Sequence, residues 1–154
     1  MKVCRQANFN AAHRLYRPDW SDEKNDEVFG KCNNYNFHGH NYKLEVWIDG
    51  PIDPETGYVI DLKILKGIIN DEIIERFDHR NLNEDCPEFK NLIPTAEHIS
   101  VVCYDLLREK LAEKFELSIK LWETEKYVHL NFLILETTPQ IILQYIIHIR
   151  ENNG

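Results

Sequence analysis

The chain has no surplus of basic residues, no apolar run long enough for a membrane, and no closely spaced pair of cysteines. Each absence removes a class of function. Lysine and arginine number 18 against 26 acidic residues, for a formal net charge of −8. Proteins that grip nucleic acid usually carry a basic stripe to neutralise phosphates, so no such partner is expected. The longest greasy stretch is split by Thr137, Thr138 and Pro139, short of the roughly 20 residues that a helical span needs. No membrane partner is expected either. Residues 1–9 lack the continuous apolar segment of a secretory signal. Cys4, Cys32, Cys86 and Cys103 form no C-x-x-C pair, which speaks against a disulfide framework and makes the reducing cytoplasm the expected compartment. Internal repeats and low-complexity linkers are also missing.

What is there suits one globular domain with a real core: 154 residues, 43% hydrophobic and 29% charged. Residues 3–13 read as a strand, with Val3, Ala7, Phe9 and Ala11 on one parity and His13 ending that row. Residues 14–37 are polar and irregular, too long for a simple turn, and form a candidate functional loop. Residues 38–49 are a second strand. Tyr42, Leu44, Val46 and Ile48 point one way, and Asn41, Lys43, Glu45 and Asp49 the other. A turn at Asp53-Pro54-Glu55-Thr56-Gly57 leads to a short strand, Tyr58 to Ile60.

Asp61 is placed to cap a first helix, with Leu62, Leu65, Ile69, Ile73 and Phe77 as its stripe. Thr95 is placed to cap a second, with Ile99, Val102, Leu106, Leu107 and Leu111 inward. Residues 117–124 read as a strand, with Leu117, Ile119, Leu121 and Glu123 on one parity, and 127–135 as a last strand. Beyond it, Ile141 to Ile149 suits strand or helix, and Thr138 with Pro139 favours helix. Strands, two helices, then strands predict an α+β fold with both helices on one sheet face.

The chemistry begins with His38-Gly39-His40. Side chains along a strand alternate, so these two imidazoles share one face and can reach one metal ion. The plain alternative is two histidines that happen to alternate. His13 ends a neighbouring row, and antiparallel pairing of the two strands would bring all three rings together. Three protein ligands with an open position is the pattern of a catalytic zinc site. Cys32 is the candidate for a fourth, sealing ligand, which would make the site structural.

The run Val28-Phe29-Gly30-Lys31-Cys32-Asn33-Asn34-Tyr35-Asn36-Phe37-His38-Gly39-His40-Asn41-Tyr42 resembles the signature of the 6-pyruvoyl-tetrahydropterin synthase family. So does Phe9-Asn10-Ala11-Ala12-His13-Arg14-Leu15. Further similar segments come in order: Ile52 to Gly57, Asp78-His79-Arg80-Asn81-Leu82, Thr95-Ala96-Glu97 and Glu123-Thr124. The resemblance spans roughly residues 3–132, leaving 133–154 as a C-terminal extension beside a domain at 1–132.

That resemblance implies a tunnelling-type fold: a four-stranded antiparallel sheet with two helices on one face, three sheets joined into a barrel, and two trimers stacked as a homohexamer. It implies zinc on His13, His38 and His40, and Cys32 as the catalytic cysteine. Asp78 and His79 would assist proton transfer, Glu123 would anchor the pterin ring, and Thr95 and Glu97 would add pterin contacts. The implied reaction converts 7,8-dihydroneopterin triphosphate to 6-pyruvoyl-tetrahydropterin with loss of triphosphate, on the way to tetrahydrobiopterin. Arg14, Arg17, Lys24 and Lys31 are candidates to hold the triphosphate.

Each assignment has a plainer counterpart. Asp78-His79 would otherwise be a helix-end turn, Glu123 half of a buried ion pair, Thr95 a cap and Glu97 a first-turn carboxylate. Cys86 and Cys103 are expected to be inert, and His98, His129 and His148 to be ordinary polar residues. Tyr35 and Phe37 stand where the family's animal-type motif commonly has Pro and Gly, and His98 where Asn is frequent. Two rivals remain: 6-carboxy-tetrahydropterin synthase of the queuosine pathway, whose cysteine usually lies closer to the His-Gly-His pair, and a non-catalytic zinc- or pterin-binding homologue.

Overall fold

A computed structural model describes residues 1–124 together with the backbone at 128–132 and 146–147. The first strand, β1 (Lys2–His13), runs out to His13 and is followed by a partly exposed stretch leading to helix α1 (Asp22–Phe29). Ser21 caps α1 by accepting from the Lys24 N–H, with Asp22 and Glu23 in the first turn where the helix dipole favours them. A 3-10 turn, Gly30–Asn33, comes directly after it. The expected loop at 14–37 is therefore partly helical. Its helix carries no apolar stripe, and its one buried residue is Asn25.

The second strand, β2 (His38–Asp49), pairs antiparallel with β1 along its whole length, Lys2 opposite Asp49 and His13 opposite His38. Tyr42, Leu44, Val46 and Ile48 are all fully buried, as the alternation predicts. The strand expected at Tyr58 to Ile60 does not form. The turn closes instead through Asp53, whose N–H bonds the Tyr58 carbonyl at 2.8 Å and whose carboxylate accepts from the Glu55 and Thr56 N–H groups.

Asp61 caps α2 (Leu62–Ile69) through the Lys63 N–H. The helix then widens into a π turn, Asn70–Ile74, and closes as α3 (Glu75–Phe77). Leu65, Ile69, Ile73 and Phe77 are buried at a repeat of four. An α-helix of 3.6 residues per turn drifts off such a repeat, and the wider turn restores the phase. Leu62 departs from the expected stripe and is 41% exposed. A two-residue strand, β3 (Arg80–Asn81), lies parallel to β1 beside Ala11 and Ala12.

Thr95 caps α4 (Ala96–Lys110), accepting from the His98 N–H. Ile99, Val102, Cys103 and Leu107 face inward, while Leu106 is only partly buried. Then β4 (Glu116–Trp122) pairs antiparallel with β2, β5 (Val128–Phe132) with β4, and β6 (Ile146–Ile147) with β5. The sheet order is β3-β1-β2-β4-β5-β6. The α+β expectation holds in its four long antiparallel strands, β1, β2, β4 and β5. Two-residue strands lengthen the sheet at both edges, one of them parallel. The helical reading of Ile141 to Ile149 falls outside the described residues except at Ile146–Ile147, which are strand. Thr138 and Pro139 also lie outside them.

One core joins these layers. Phe9, Ala11, Tyr42, Leu44, Val46, Leu117, Ile119 and Leu121 from the sheet meet Leu65, Ile69, Ile73, Phe77, Ile99, Cys103 and Leu107 from the helices. Phe9 stacks on Tyr42 with ring centroids 4.9 Å apart. No helix among the described residues is long and apolar enough to cross a membrane.

Candidate active site

Three imidazoles close the end of the core-facing rows on β1 and β2. His13 directly opposes His38, and His40 opposes Ala11. Ring centroids are 4.5 Å apart for His13 and His38, 5.1 Å for His13 and His40, and 4.9 Å for His38 and His40. One ring nitrogen from each lies within 4.8 Å of the other two. Gly39 between the two ligand candidates pairs with Ala12.

His13 is 1% exposed, and its Nδ1 bonds the Pro94 carbonyl at 2.7 Å. A carbonyl only accepts, so Nδ1 carries the proton and Nε2 presents a lone pair. Histidine ligands are commonly held this way, by a ring N–H donated to a carbonyl behind them. Burial pushes the His13 pKa down to about 4 and also lowers those of His38 and His40. All three rings are thus kept in the neutral form that binds metal.

The Nε2 atoms of His13 and His38 are 3.0 Å apart. Donors on a tetrahedron with bonds of about 2.05 Å are separated by about 3.3 Å, close to this spacing. His38 Nδ1 is the buried side-chain polar atom that lacks a hydrogen-bond partner among the described residues. That atom lies across the ring from Nε2, so it is not the donor that faces His13; the fit to a cation rests on three neutral nitrogen donors at this spacing. These three histidines can hold a metal ion, and Cys32 is not part of the group.

Glu123 continues the buried β4 row of Leu117, Ile119 and Leu121, one residue past the strand. Its Oε1 lies 3.5 Å from His13 Nε2 and 3.7 Å from His40 Nε2. Tyr42 Oη donates to the same oxygen at 3.5 Å. Burial and the nearby Glu123 push the Tyr42 pKa far above its ordinary value, so the phenol stays a donor. Sequence reasoning placed Tyr42 in the core only. The signal was present, since Tyr42 shares its parity with His38 and His40.

The Asp78–His79 pair is built at the other side of β1. Asp78 Oδ1 accepts from the Asn10 N–H at 2.7 Å, and Oδ2 lies 2.8 Å from His79 Nδ1. The Asn10 N–H and then His79 lower the Asp78 pKa. His79 is left-handed, at φ 59°, with its side chain 78% exposed, and its own N–H bonds the Asn10 carbonyl. The imidazole lines a shallow depression with Asn10, Asn41 and Asp85. His40 of the imidazole cluster borders the same depression.

The family described as 6-pyruvoyl tetrahydropterin synthase matches the chain over residues 2–130. The human 6-pyruvoyl tetrahydrobiopterin synthase is 42% identical over 127 residues, covering 82% of this chain and 88% of its own length. Its Drosophila melanogaster counterpart is 44% identical, covering 82% and 76%. The solved structure of Caenorhabditis elegans 6-pyruvoyl tetrahydropterin synthase superposes with a TM-score of 0.78 at 36% identity, covering 83% of this chain and 91% of that one. The chain belongs to the 6-pyruvoyl tetrahydropterin synthase family. It is an enzyme of the lyase type.

The other residues that the family resemblance singles out are spread around this cluster. Cys32 sits half-buried in the 3-10 turn after α1, close enough to Glu123 to feel its charge. Burial and then Glu123 push its pKa up. The role of a base leads one to expect a neighbouring cation or metal that lowers it, and among the described residues no protein cation does. Thr95 is a helix cap whose oxygen already accepts from the His98 N–H at 3.3 Å, with Glu97 in the first turn. His98 Nδ1 bonds the Ile93 carbonyl at 2.7 Å. Cys103 is fully buried and Cys86 nearly so, and burial raises both thiols.

Two of the four candidate cations are turned inward or paired. Arg14 bonds Asn33, and Arg17 pairs with Asp19 at 3.0 Å. Lys24 lies over the Trp20 ring at 4.0 Å. Phe37, directly before His38, is left-handed at φ 62°, the conformation that suits the glycine of the family motif.

Proposed function

We propose that this chain converts 7,8-dihydroneopterin triphosphate to 6-pyruvoyl-tetrahydropterin with elimination of triphosphate, for tetrahydrobiopterin biosynthesis, using zinc. The observation that carries this reading is the cluster of three neutral imidazoles beside Glu123, in a chain of this family that retains Cys32.

His13, His38 and His40 would hold the zinc. A zinc ion held there would supply Lewis acidity to oxygen atoms of the substrate's side chain, which would make the neighbouring protons easier to remove. Cys32 takes a proton from that side chain as the base. Glu123 raises the thiol, whereas a metal ion held by the three neutral histidines would favour the thiolate. Glu123 also accepts hydrogen bonds from the amino group and ring nitrogen of the pterin, and Thr95 and Glu97 add contacts to it. Asp78 orients His79, which returns protons as the side chain rearranges.

Asp78 and His79 stand on the side of β1 away from β2, next to β3, and the His79 side chain is 78% exposed. An exposed ring in a catalytic role is in keeping with a cytoplasmic homohexamer made of two trimers, in which a second subunit would cover it. Catalysis is assigned to residues 1–132, with 133–154 as an appended extension.

Product analysis with 7,8-dihydroneopterin triphosphate tests the reading. The expected outcome is the pyruvoyl product and free triphosphate, lost in Cys32→Ala while fold and zinc are kept. A carboxy product would assign the chain to the 6-carboxy branch. Pterin binding without turnover would make it a non-catalytic homologue.

A further inference from the structure

Two distant chain segments, the turn at Cys32–Asn33 and the loop at Asn83, converge on Arg14, the residue between the buried ligand candidate His13 and Leu15. The Leu15 N–H donates to the Cys32 carbonyl at 2.9 Å, so the end of β1 already touches the turn that bears the thiol. The Arg14 side chain reinforces this contact. Its Nε donates to the Asn33 carbonyl at 2.8 Å and to Asn33 Oδ1 at 3.1 Å, and its Nη2 donates to Asn33 Oδ1 at 2.9 Å.

Asn33 is 5% exposed and passes the contact on, donating from Nδ2 to Asp26 Oδ1 at 2.7 Å on α1. Behind it, the Arg14 main chain is held in both directions by one side chain. The Arg14 N–H donates to Asn83 Oδ1 at 2.8 Å, and Asn83 Nδ2 donates to the Arg14 carbonyl at 3.0 Å. The guanidinium carbon lies 4.4 Å from the centre of the Tyr16 ring and 5.3 Å from that of Tyr35.

We propose that Arg14 is a positioning residue: its guanidinium clamps the turn carrying Cys32 to the strand end carrying His13 and so sets where the thiol lies relative to the three imidazoles. This rests on the reading of Cys32 as the base. The Nε–Nη2 edge of the guanidinium is spent on Asn33, which assigns that edge to holding the turn. A lysine cannot replace that edge. It offers a point charge and not a planar fork.

The test compares Arg14→Lys, Arg14→Ala and Asn33→Ala with the parent chain. Three quantities are read: zinc content, the rate of Cys32 alkylation by iodoacetamide resolved by peptide mass spectrometry, and kcat with KM. Expected are parental zinc content, several-fold faster alkylation, kcat lower by about 10- to 100-fold, and KM within about twofold of the parent. Combining Arg14→Ala with Asn33→Ala should add little, since both remove one contact. Should Arg14→Ala fail to fold, Arg14→Lys decides the matter.

Raised KM at unchanged kcat would make Arg14 a substrate contact and overturn the proposal. Unchanged alkylation in Arg14→Lys would overturn it as well. Full activity in Cys32→Ala would remove the base assignment, and the alkylation rates would still report whether Arg14 holds the turn.

Discussion

His13 donates its Nδ1–H to the Pro94 carbonyl across 2.7 Å, so the ring that opens onto His38 is held from behind by the segment entering α4. A buried imidazole fixed in one tautomer, with its other nitrogen facing two more imidazoles, has consequences for metal, pH and stability.

Zinc added to metal-free protein should raise its melting temperature. A ligand at 100 times its Kd stabilises the folded state by about 2.7 kcal/mol. His38→Ala and His40→Ala should each abolish the increase. Scanning calorimetry with and without zinc measures this, and an unchanged parent curve would remove zinc from the cluster.

The His13 pKa is held at about 4 in the fold against 6.5 for a free histidine. Between these values the unfolded chain binds more protons than the folded one, so stability rises with pH. The metal-free protein should therefore lose stability as pH falls from 6.5 toward 4, by about 3 kcal/mol from His13 alone. His38 and His40 shift in the same direction and add to the loss. Urea melts of chelator-treated protein across this interval read the effect, and a flat profile would count against it.

Phe37 adopts φ 62° immediately before a ligand candidate. A side chain in the left-handed region costs about 1–2 kcal/mol, which glycine does not incur. Phe37→Gly should therefore be more stable than Phe37→Ala by about 1 kcal/mol. The alanine variant loses the ring while keeping the strain, so the comparison isolates the backbone. Chemical denaturation of the pair checks it; equal stability would mean that the loop relaxes.

Asp78 and His79 should separate in their effects. His79→Ala removes a largely exposed ring and should shift stability by no more than about 0.5 kcal/mol. Asp78→Ala takes the acceptor from the Asn10 N–H and should cost about 1 kcal/mol. Activity lost in both, with this difference in unfolding free energy, fits a catalytic ring held by a structural carboxylate. Full activity in His79→Ala would end its proposed role.

Much of this site is legible in the sequence because a strand repeats every two residues. His38, His40 and Tyr42 must share a face, and His13 continues the buried row of the strand beside them. Caps are equally readable: Asp61 and Thr95 each accept from the first turn of the helix they start. α1 escapes because helices are found by their apolar stripe, and this one buries only Asn25; Ser21 with Asp22 and Glu23 is the available signal. The strand expected at Tyr58 to Ile60 fails because Asp53 satisfies the turn by itself. The Pro94 carbonyl behind His13 and the Asn83 amide around Arg14 are far along the chain. No local pattern marks such contacts, which depend on how the whole domain packs.

The π turn at Asn70–Ile74 sets the angular phase of α3 and the corner after it. Tightening these residues into ordinary α geometry with none removed would turn α3 by about 100°. Phe77 would swing out from beside Phe9, and the Asp78 carboxylate would lose the Asn10 N–H. The Asp61 cap upstream would be untouched. Deleting one residue from the wide turn would instead let it close as α-helix with the downstream phase kept, so a chain shortened there should retain the Asp78–His79 corner.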